Sequence, residues 1–459
     1  TWDEAISLIA SELKEYGSEV GVVASPRLTN ESVFTLKRFA KEVVGSDNFA
    51  ISDRYDLSPF FDNLSVPLNT HKQIRTAKTI LLIGGEPEEE QTYVAKQIRQ
   101  AVRNGGATLI VVNDMPIRLT DQATQFIHIN LGSYDAFALA FADAADDNLL
   151  KKLGVEHSEF ERFANTINNA NGDIVILVDG GVSTEAQALI ANSAANFPSD
   201  NRRVFLHPLP AHNNSVGAND MSPDKKPLGE VLKTSKALLI GGSLQDASVL
   251  EGKEFVVVQE LFETETTAFA DVILPAASFA EVDGTFTNNT GFVQRVRKAI
   301  EPLHQSKADW IITTLIAREM GVDFGYDFSA SAVFRSIADS IPAYAGIRYP
   351  ALKDESNPVQ VKHAMSGKKD LSAEIDALRK RVESFSDSDE KITASPKVGH
   401  KLHRLTTMTS KTPQFHLLAH GNPKPENLLL APLAQFEPDG TRKVREMAEA
   451  ATVGAGDRE

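Results

Sequence analysis

The 459-residue chain contains no cysteine. That absence excludes disulfides, thiolate zinc sites and any conventional iron–sulfur cluster held by this chain alone. Basic residues are in the minority, with 47 Lys and Arg against 62 Asp and Glu and a formal charge of −15. Nucleic acid and anionic membranes attract basic surfaces, so protein partners and small molecules are the classes left open. No apolar run approaches the roughly 18 residues of a membrane-spanning helix, and no basic-then-apolar leader opens the chain. A cytoplasmic address is expected, with any attachment to the inner face of a membrane made through partner subunits. The first residue is Thr1, and Thr1-Trp2-Asp3-Glu4 already reads as a capping box, so the chain is expected to be cut from something longer.

A hydrophobic fraction of 42% and a charged fraction of 24% are those of an ordinary globular protein with length for about three domains. "TWDEAISLIASELKEYG" places Ile6, Ile9 and Leu13 on one helical stripe that stops at Gly17. "VGVVA" from Val20 follows as a buried parallel strand, and Thr29 or Asn30 caps a helix carrying Val33, Leu36, Phe39 and Val43 before Gly45. Strand, glycine turn and helix then recur at Gly84-Gly85, Gly180-Gly181 and Gly241-Gly242. "TAKTILLIGG" and "TSKALLIGG" are alike enough to suggest two related halves, and a doubly wound α/β architecture follows. "GTFTNNTGFVQRV" reads as a hairpin turning at Asn288 to Gly291. "SKADWIITTLIAREMG" reads as a helix with Ser306 and Asp309 at its start and Ile311, Ile312, Leu315 and Ile316 inside. Beyond about Ala351 the pattern weakens to one short helix, Leu371 to Phe385, and a tail expected to wrap a partner or stay mobile.

A Gly-Gly turn before a helix can offer backbone N–H groups to a phosphate, and three of them could hold a nucleotide-like cofactor. None has the full dinucleotide or P-loop spacing, and glycines that simply let a strand turn into a helix are the commoner case. His400, His403, His416 and His420 cluster in the tail but read as solvated, since no carboxylate or thiolate completes a metal site. His207 and His212 flank a proline-rich loop and read as structural. Glu88-Glu89-Glu90 reads as a solvated first helical turn.

"TETTAFADVILPAASFAEVDGTFTNNTGFVQ", Thr264 to Gln294, resembles the motif of the molybdopterin oxidoreductase superfamily. The match rests on Thr264-Glu265-Thr266, Asp271 to Pro275, Glu281, Gly284 to Asn288, Gly291 and Gln294. "TWDEAISLIA", "SPRLTNE" and the "IGGEPEEE" turn fit as well, so the resemblance covers residues 1 to about 355. "SPRLTNE" and "IPAYAGIRY" are most similar to the large iron–sulfur subunit of NADH:quinone oxidoreductase (respiratory complex I). Catalytic members carry Arg-x-Cys-His where this chain has Arg54-Tyr55-Asp56-Leu57, and their "EGR" is Thr290-Gly291-Phe292 here. Asp56 thus stands at the metal-ligand position; one branch of the family uses a carboxylate there. "HNNSVGANDM" keeps the family's Asn214, Gly217, Asp220 and Met221. The closing β-barrel cap has no recognisable counterpart in residues 360–459.

The resemblance implies two interleaved doubly wound, Rossmann-like domains. Residues 1–52 with 228–350 would form one, 53–227 the inserted other, and 351–459 a partly irregular extension. A pterin dinucleotide, if bound, would meet Ser25, Gly84, Glu86, Asp114, Gly241, Thr264, Glu265, Asp283 and Thr285. Glu265, Thr285 and Asn288 have the competing role of satisfying buried backbone around the hairpin. The altered motif points to a subunit of the NADH:quinone oxidoreductase peripheral arm that serves structurally. Catalysis by this chain alone is not expected; no cofactor is expected in it, with molybdopterin possible, and electrons would pass through iron–sulfur clusters in a missing N-terminal region or in partners. The alternatives are a molybdopterin-dependent enzyme of the formate dehydrogenase kind, with molybdenum or tungsten at Asp56, and a non-redox scaffold or assembly module.

Overall fold

A computed structural model describes residues 1–142, 145–353, 356–385 and 391. Two all-parallel sheets of five strands carry the fold. The first contains β1 (Val20–Ala24), β2 (Phe49–Ile51), β8 (Ala237–Gly241), β9 (Phe255–Glu260) and β10 (Val272–Pro275), in the order β10-β9-β8-β1-β2. The second contains β3 (Thr79–Ile83), β4 (Thr108–Asn113), β5 (Gln125–His128), β6 (Ile174–Asp179) and β7 (Val204–Leu209), in the order β5-β4-β3-β6-β7. Central strands such as VGVVA and TILLI are buried at every position, as helices on both faces require.

The two look-alike segments occupy equivalent places. β8 and β3 are each the middle strand, with their next two strands in sequence on one side. In the second sheet the other side is filled by the strands that follow; in the first it is filled by β1 and β2, which precede. The first sheet is therefore a circular permutation of the second, and the second is strung between β2 and β8.

Thr1 caps helix Trp2–Tyr16, with the reciprocal Glu4 contact, and Gly17 ends it. Thr29 caps helix Asn30–Arg38, whose last turn widens into a π-helical stretch over Phe39–Val43. The helix expected from Ser306 starts later, at Asp309, without a side-chain cap, because the Ser306 hydroxyl donates to Leu303 O at 2.8 Å instead. Ile312 and Ile316 are fully buried, while Ile311 and Leu315 are half-buried. The hairpin forms as β11 (Gly284–Thr287) and β12 (Phe292–Val296), and β13 (Val359–Gln360) adds a third strand to it.

Part of the extension is firmly packed. Helix Ser372–Glu383 sets Leu378 and Val382 into the core under the second sheet, and Arg381 binds Asp135 at 2.9 Å and Glu185 at 2.7 Å. The acidic run after Phe385 and the four tail histidines lie outside the described residues. Among the described residues no helix is long and apolar enough to cross a membrane.

Candidate functional site

In doubly wound sheets, ligands settle where neighbouring strands send their connections in opposite directions, at the carboxyl ends. Here those points lie between β8 and β1 and between β3 and β6. The first is framed by Ser25 to Arg27 and Gly241 to Ser243, the second by Gly84 to Glu86 and Asp179 to Gly181. The two ends face each other. Asp53, after β2, meets His212 beyond β7 at 3.0 Å; Arg54 approaches Glu90 at 4.0 Å; and Asn214 Nδ2 donates to Leu28 O at 2.8 Å.

At the first point Ser25 N–H donates to Gly241 O at 2.8 Å and Ser25 Oγ accepts from Arg27 N–H at 3.3 Å. Ser243 Oγ binds Glu260 and lies 3.1 Å from Thr264 Oγ1. Arg27 is half-buried; burial pulls its guanidinium below the usual range against the opposing charges of Glu260 and Asp53. Glu265 is exposed beside this rim. At the second point, Asp114 accepts from Tyr134 Oη at 3.1 Å and from Gly132 N–H at 3.1 Å, and Asn113 Nδ2 donates to Gly85 O at 2.8 Å. Glu86 is buried.

The glutamate run is not the solvated turn expected. Glu88 is buried and paired with Arg99, and Glu89 lies 3.6 Å from Arg118, because the four-residue helix Pro87–Glu90 packs inward rather than facing water.

Five of the six glycines of the three turns have their missing side chain's place taken by protein, while Gly85 has room but adopts a left-handed φ of 74°. A Cβ at Gly84 would lie 3.0 Å from Asp179 Cβ, one at Gly180 2.7 Å from Tyr55 Cδ2, and one at Gly242 2.6 Å from Ser25 Cβ. Gly181 has Asp179 Oδ2 at 2.9 Å, Gly85 has Asp179 Cγ at 3.4 Å, and Gly241 has Leu36 Cδ1 at 2.7 Å. Gly84 and Gly242 also adopt left-handed φ of 69° and 89°. These demands are internal, and the carboxylate of Asp179 repels a phosphate at two of the turns.

Asp56 is half-exposed. Its carboxylate accepts from Ser58 N–H at 3.0 Å and lies 3.3 Å from the ammonium of Lys225, which is well shielded and also donates to Asn219 Oδ1 at 2.8 Å. Burial pushes the carboxyl up, but Lys225 and the Ser58 amide outweigh it and hold Asp56 below the usual carboxylate range.

Thr285 and Asp283 sit away from both crevices, on the hairpin. Thr285 is fully buried: its N–H donates to Glu31 Oε2 at 2.8 Å, its hydroxyl to Glu31 Oε1 at 3.0 Å, and it accepts from Asn30 Nδ2 at 3.0 Å. Asp283 pairs with Arg295 at 3.2 Å. The network continues through Asn30 to Thr287, Tyr344 and Asp220, which faces His363 at 2.9 Å. Gly217 packs against it, and a Cβ there would collide with Asn30 Oδ1 and Asn214 Oδ1. Gly217→Ala should cost about 3 kcal/mol in urea unfolding. Gly229→Ala, in helix Leu228–Thr234 with open space around it, should instead gain about 0.5 kcal/mol.

A profile of the molybdopterin oxidoreductase family matches residues 1–319. The chain belongs to the molybdopterin oxidoreductase family. It is similar to the F420-dependent formate dehydrogenase subunit alpha of Methanocaldococcus jannaschii, 27% identical over 438 residues, covering 77% of this chain and 65% of that protein. The F420-dependent formate dehydrogenase 2 subunit alpha of Methanococcus maripaludis is 26% identical over 436 residues, with 77% and 64% covered. The chain thus spans less than two thirds of the length of these relatives. Acetylene hydratase from Pelobacter acetylenicus superposes with a TM-score of 0.60 at 14% identity, over 90% of this chain and 71% of that one, a likeness of fold. These relatives are formate dehydrogenase subunits; they support the family and not the narrower likeness to the large iron–sulfur subunit of NADH:quinone oxidoreductase.

The fit of a molybdenum pterin to this member of the molybdopterin oxidoreductase family is poor on its own residues. An ammonium already neutralises Asp56, and a metal cation there would meet the like charge of Lys225. Tyr55 lies over Gly180-Gly181, where a cofactor would need close backbone approach. Ser25, Gly241 and Thr264 come together at one crevice and Gly84, Glu86 and Asp114 at the other, while Asp283 and Thr285 join neither. Sequence reasoning missed Arg27, Asp53, His212, Tyr55, Lys225 and Glu260 as members of this region. Arg27 carried a signal as the cation inside "SPRLTNE" and Tyr55 as part of Arg54-Tyr55-Asp56-Leu57, while His212 reads as structural in the sequence.

Proposed function

We propose that this chain is a structural subunit of a multi-subunit oxidoreductase, keeping the molybdopterin-type fold without molybdenum chemistry at Asp56. The observation that carries this reading is the Lys225–Asp56 pair, in which an ammonium lies 3.3 Å from Oδ1 of the residue at the metal-ligand position. With no cysteine in residues 1–459, electrons would travel through clusters held by a cysteine-bearing region outside this sequence or by partner chains. The segments "SPRLTNE" and "IPAYAGIRY" favour NADH:quinone oxidoreductase as the assembly.

The names of the relatives favour a second reading, a formate dehydrogenase-type subunit in which Asp56 binds molybdenum or tungsten. Metal analysis of the native assembly by plasma mass spectrometry separates the two. The structural reading expects iron from partner chains and no stoichiometric molybdenum or tungsten. A full complement of either metal, lost in Asp56→Ala together with formate oxidation, would establish the second reading and end the first.

A further inference from the structure

The outer edge of the first sheet carries an apolar surface that the crevices do not use. β10 is the edge strand, and Ile273 and Pro275 share its outward face, with Ile273 48% exposed. Beyond it stand Phe279, Ile300 and Leu303, exposed by 57%, 58% and 67%. Scattered single apolar residues are ordinary on a surface, but these are gathered and fixed. Ala280 O accepts from Ala299 N–H at 2.8 Å and Ile300 N–H at 3.2 Å. The buried carboxylate of Glu281 takes Ser278 N–H and Leu303 N–H, each at 2.7 Å, and Lys307 N–H bonds Pro275 O at 3.2 Å. An internal carboxylate thus holds two loops against the edge strand so that their apolar side chains point to solvent.

The charge beside them is the reverse of the chain's. Residues 279–307, which hold the three exposed apolar side chains, carry Arg295, Arg297, Lys298 and Lys307 against Glu281, Asp283 and Glu301, four minus three, or +1, in a chain of −15. Asp283 engages Arg295 and Glu301 engages Lys298; among the described residues Arg297 and Lys307 have no carboxylate partner.

We infer that this surface, centred on Phe279, Ile300 and Leu303, docks a different protein chain presenting an apolar patch flanked by Asp and Glu. A second copy is the poorer occupant, because a two-fold contact lays the same patch on itself and sets cation against cation. The inference rests on the reading of this chain as one subunit of an assembly, and not on what Asp56 binds.

The test uses the assembly purified from its host through the full chain. Carbodiimide, which joins amines directly to carboxylates, should link Lys298 and Lys307 to Asp or Glu of another chain, read by mass spectrometry beyond the internal Lys298–Glu301 link. Phe279→Asp with Leu303→Asp should abolish those links and shift this chain to its monomer position on a native gel. Its melting temperature should be unchanged, since both side chains are exposed. Arg297→Glu with Lys307→Glu, which leaves the apolar residues in place, should release the partner at lower salt than the wild type. Links only to copies of this chain, or an assembly that survives both pairs of substitutions, would overturn the surface while leaving the subunit reading intact. A wild-type chain found alone in its host would remove both.

Discussion

Lowering the pH from 6.5 to 4 should cost the native chain about 3 kcal/mol through His207 alone. His207 is fully buried on β7, between Asn69 Oδ1 at 3.0 Å from its Nδ1 and Asn289 Nδ2 at 3.2 Å from its Nε2. An amide oxygen on one side and an amide NH2 on the other fix the neutral tautomer with its proton on Nδ1. Burial, and then the charge of His71, depress its pKa to about 3. The sign follows: a histidine depressed in the folded state contributes stability that is present above the unfolded pKa and lost as pH falls toward the folded one. The window therefore runs from about 6.5 down to about 3. Urea unfolding of the wild type and His207→Gln across that range measures it. The wild-type curve should fall about 1.4 kcal/mol per pH unit more steeply than the variant's; parallel curves would show that His207 titrates normally.

Glu31→Ala should destabilise the chain by about 4 kcal/mol, since one carboxylate satisfies three buried donors. Thr285 N–H, Thr285 Oγ1 and Tyr349 Oη all converge on it, the last at 2.8 Å. Removing it leaves those donors dry and unties the hairpin from helix Asn30–Arg38. Glu31→Gln keeps one oxygen acceptor and should cost about 2 kcal/mol. Burial pushes the Glu31 carboxyl up to about 7, with its hydrogen bonds pulling the other way. A raised acid contributes stability that is complete below the unfolded pKa and lost as pH rises through the folded one. The gap between wild type and Glu31→Gln should consequently narrow between about pH 4.5 and 7, a change that denaturation at several pH values detects.

The middle of each sheet was legible because strands covered on both faces must be continuously apolar, and "VGVVA", "TILLI" and "ALLIG" are. β7 escaped notice because "VFLHPL" hides its apolar pattern behind His207 and Pro208; proline is tolerated there because the outer side of β7 is bridged by Pro67 and Asn69 at Leu206 and has no ladder partner at Pro208. The glutamates at 88–90 misled for a related reason. A run of like charge reads as solvated unless its cations are visible, and Arg99 and Arg118 lie on later elements. Candidate site residues were legible where they sit at strand ends, as Ser25, Gly84 and Gly241 do. The partners that decide their chemistry were not. Lys225 stands 225 − 56 = 169 positions from Asp56, and Tyr55 reaches its glycines only through the fold, so no local pattern announces either.

The order of strands also sets a timetable for synthesis. Val20 of β1 pairs with Ala237 of β8, 237 − 20 = 217 positions later. At about 5–20 residues per second, β1 and its helices leave the ribosome some 10–40 s before the strand that completes their core. During that interval the whole second sheet, whose strands all lie between Thr79 and Leu209, can close on itself, while the apolar faces of Trp2–Tyr16 and Asn30–Arg38 wait uncovered. The segment from Trp2 to Ile51 thus keeps its apolar faces open to water until β8 to β10 are made.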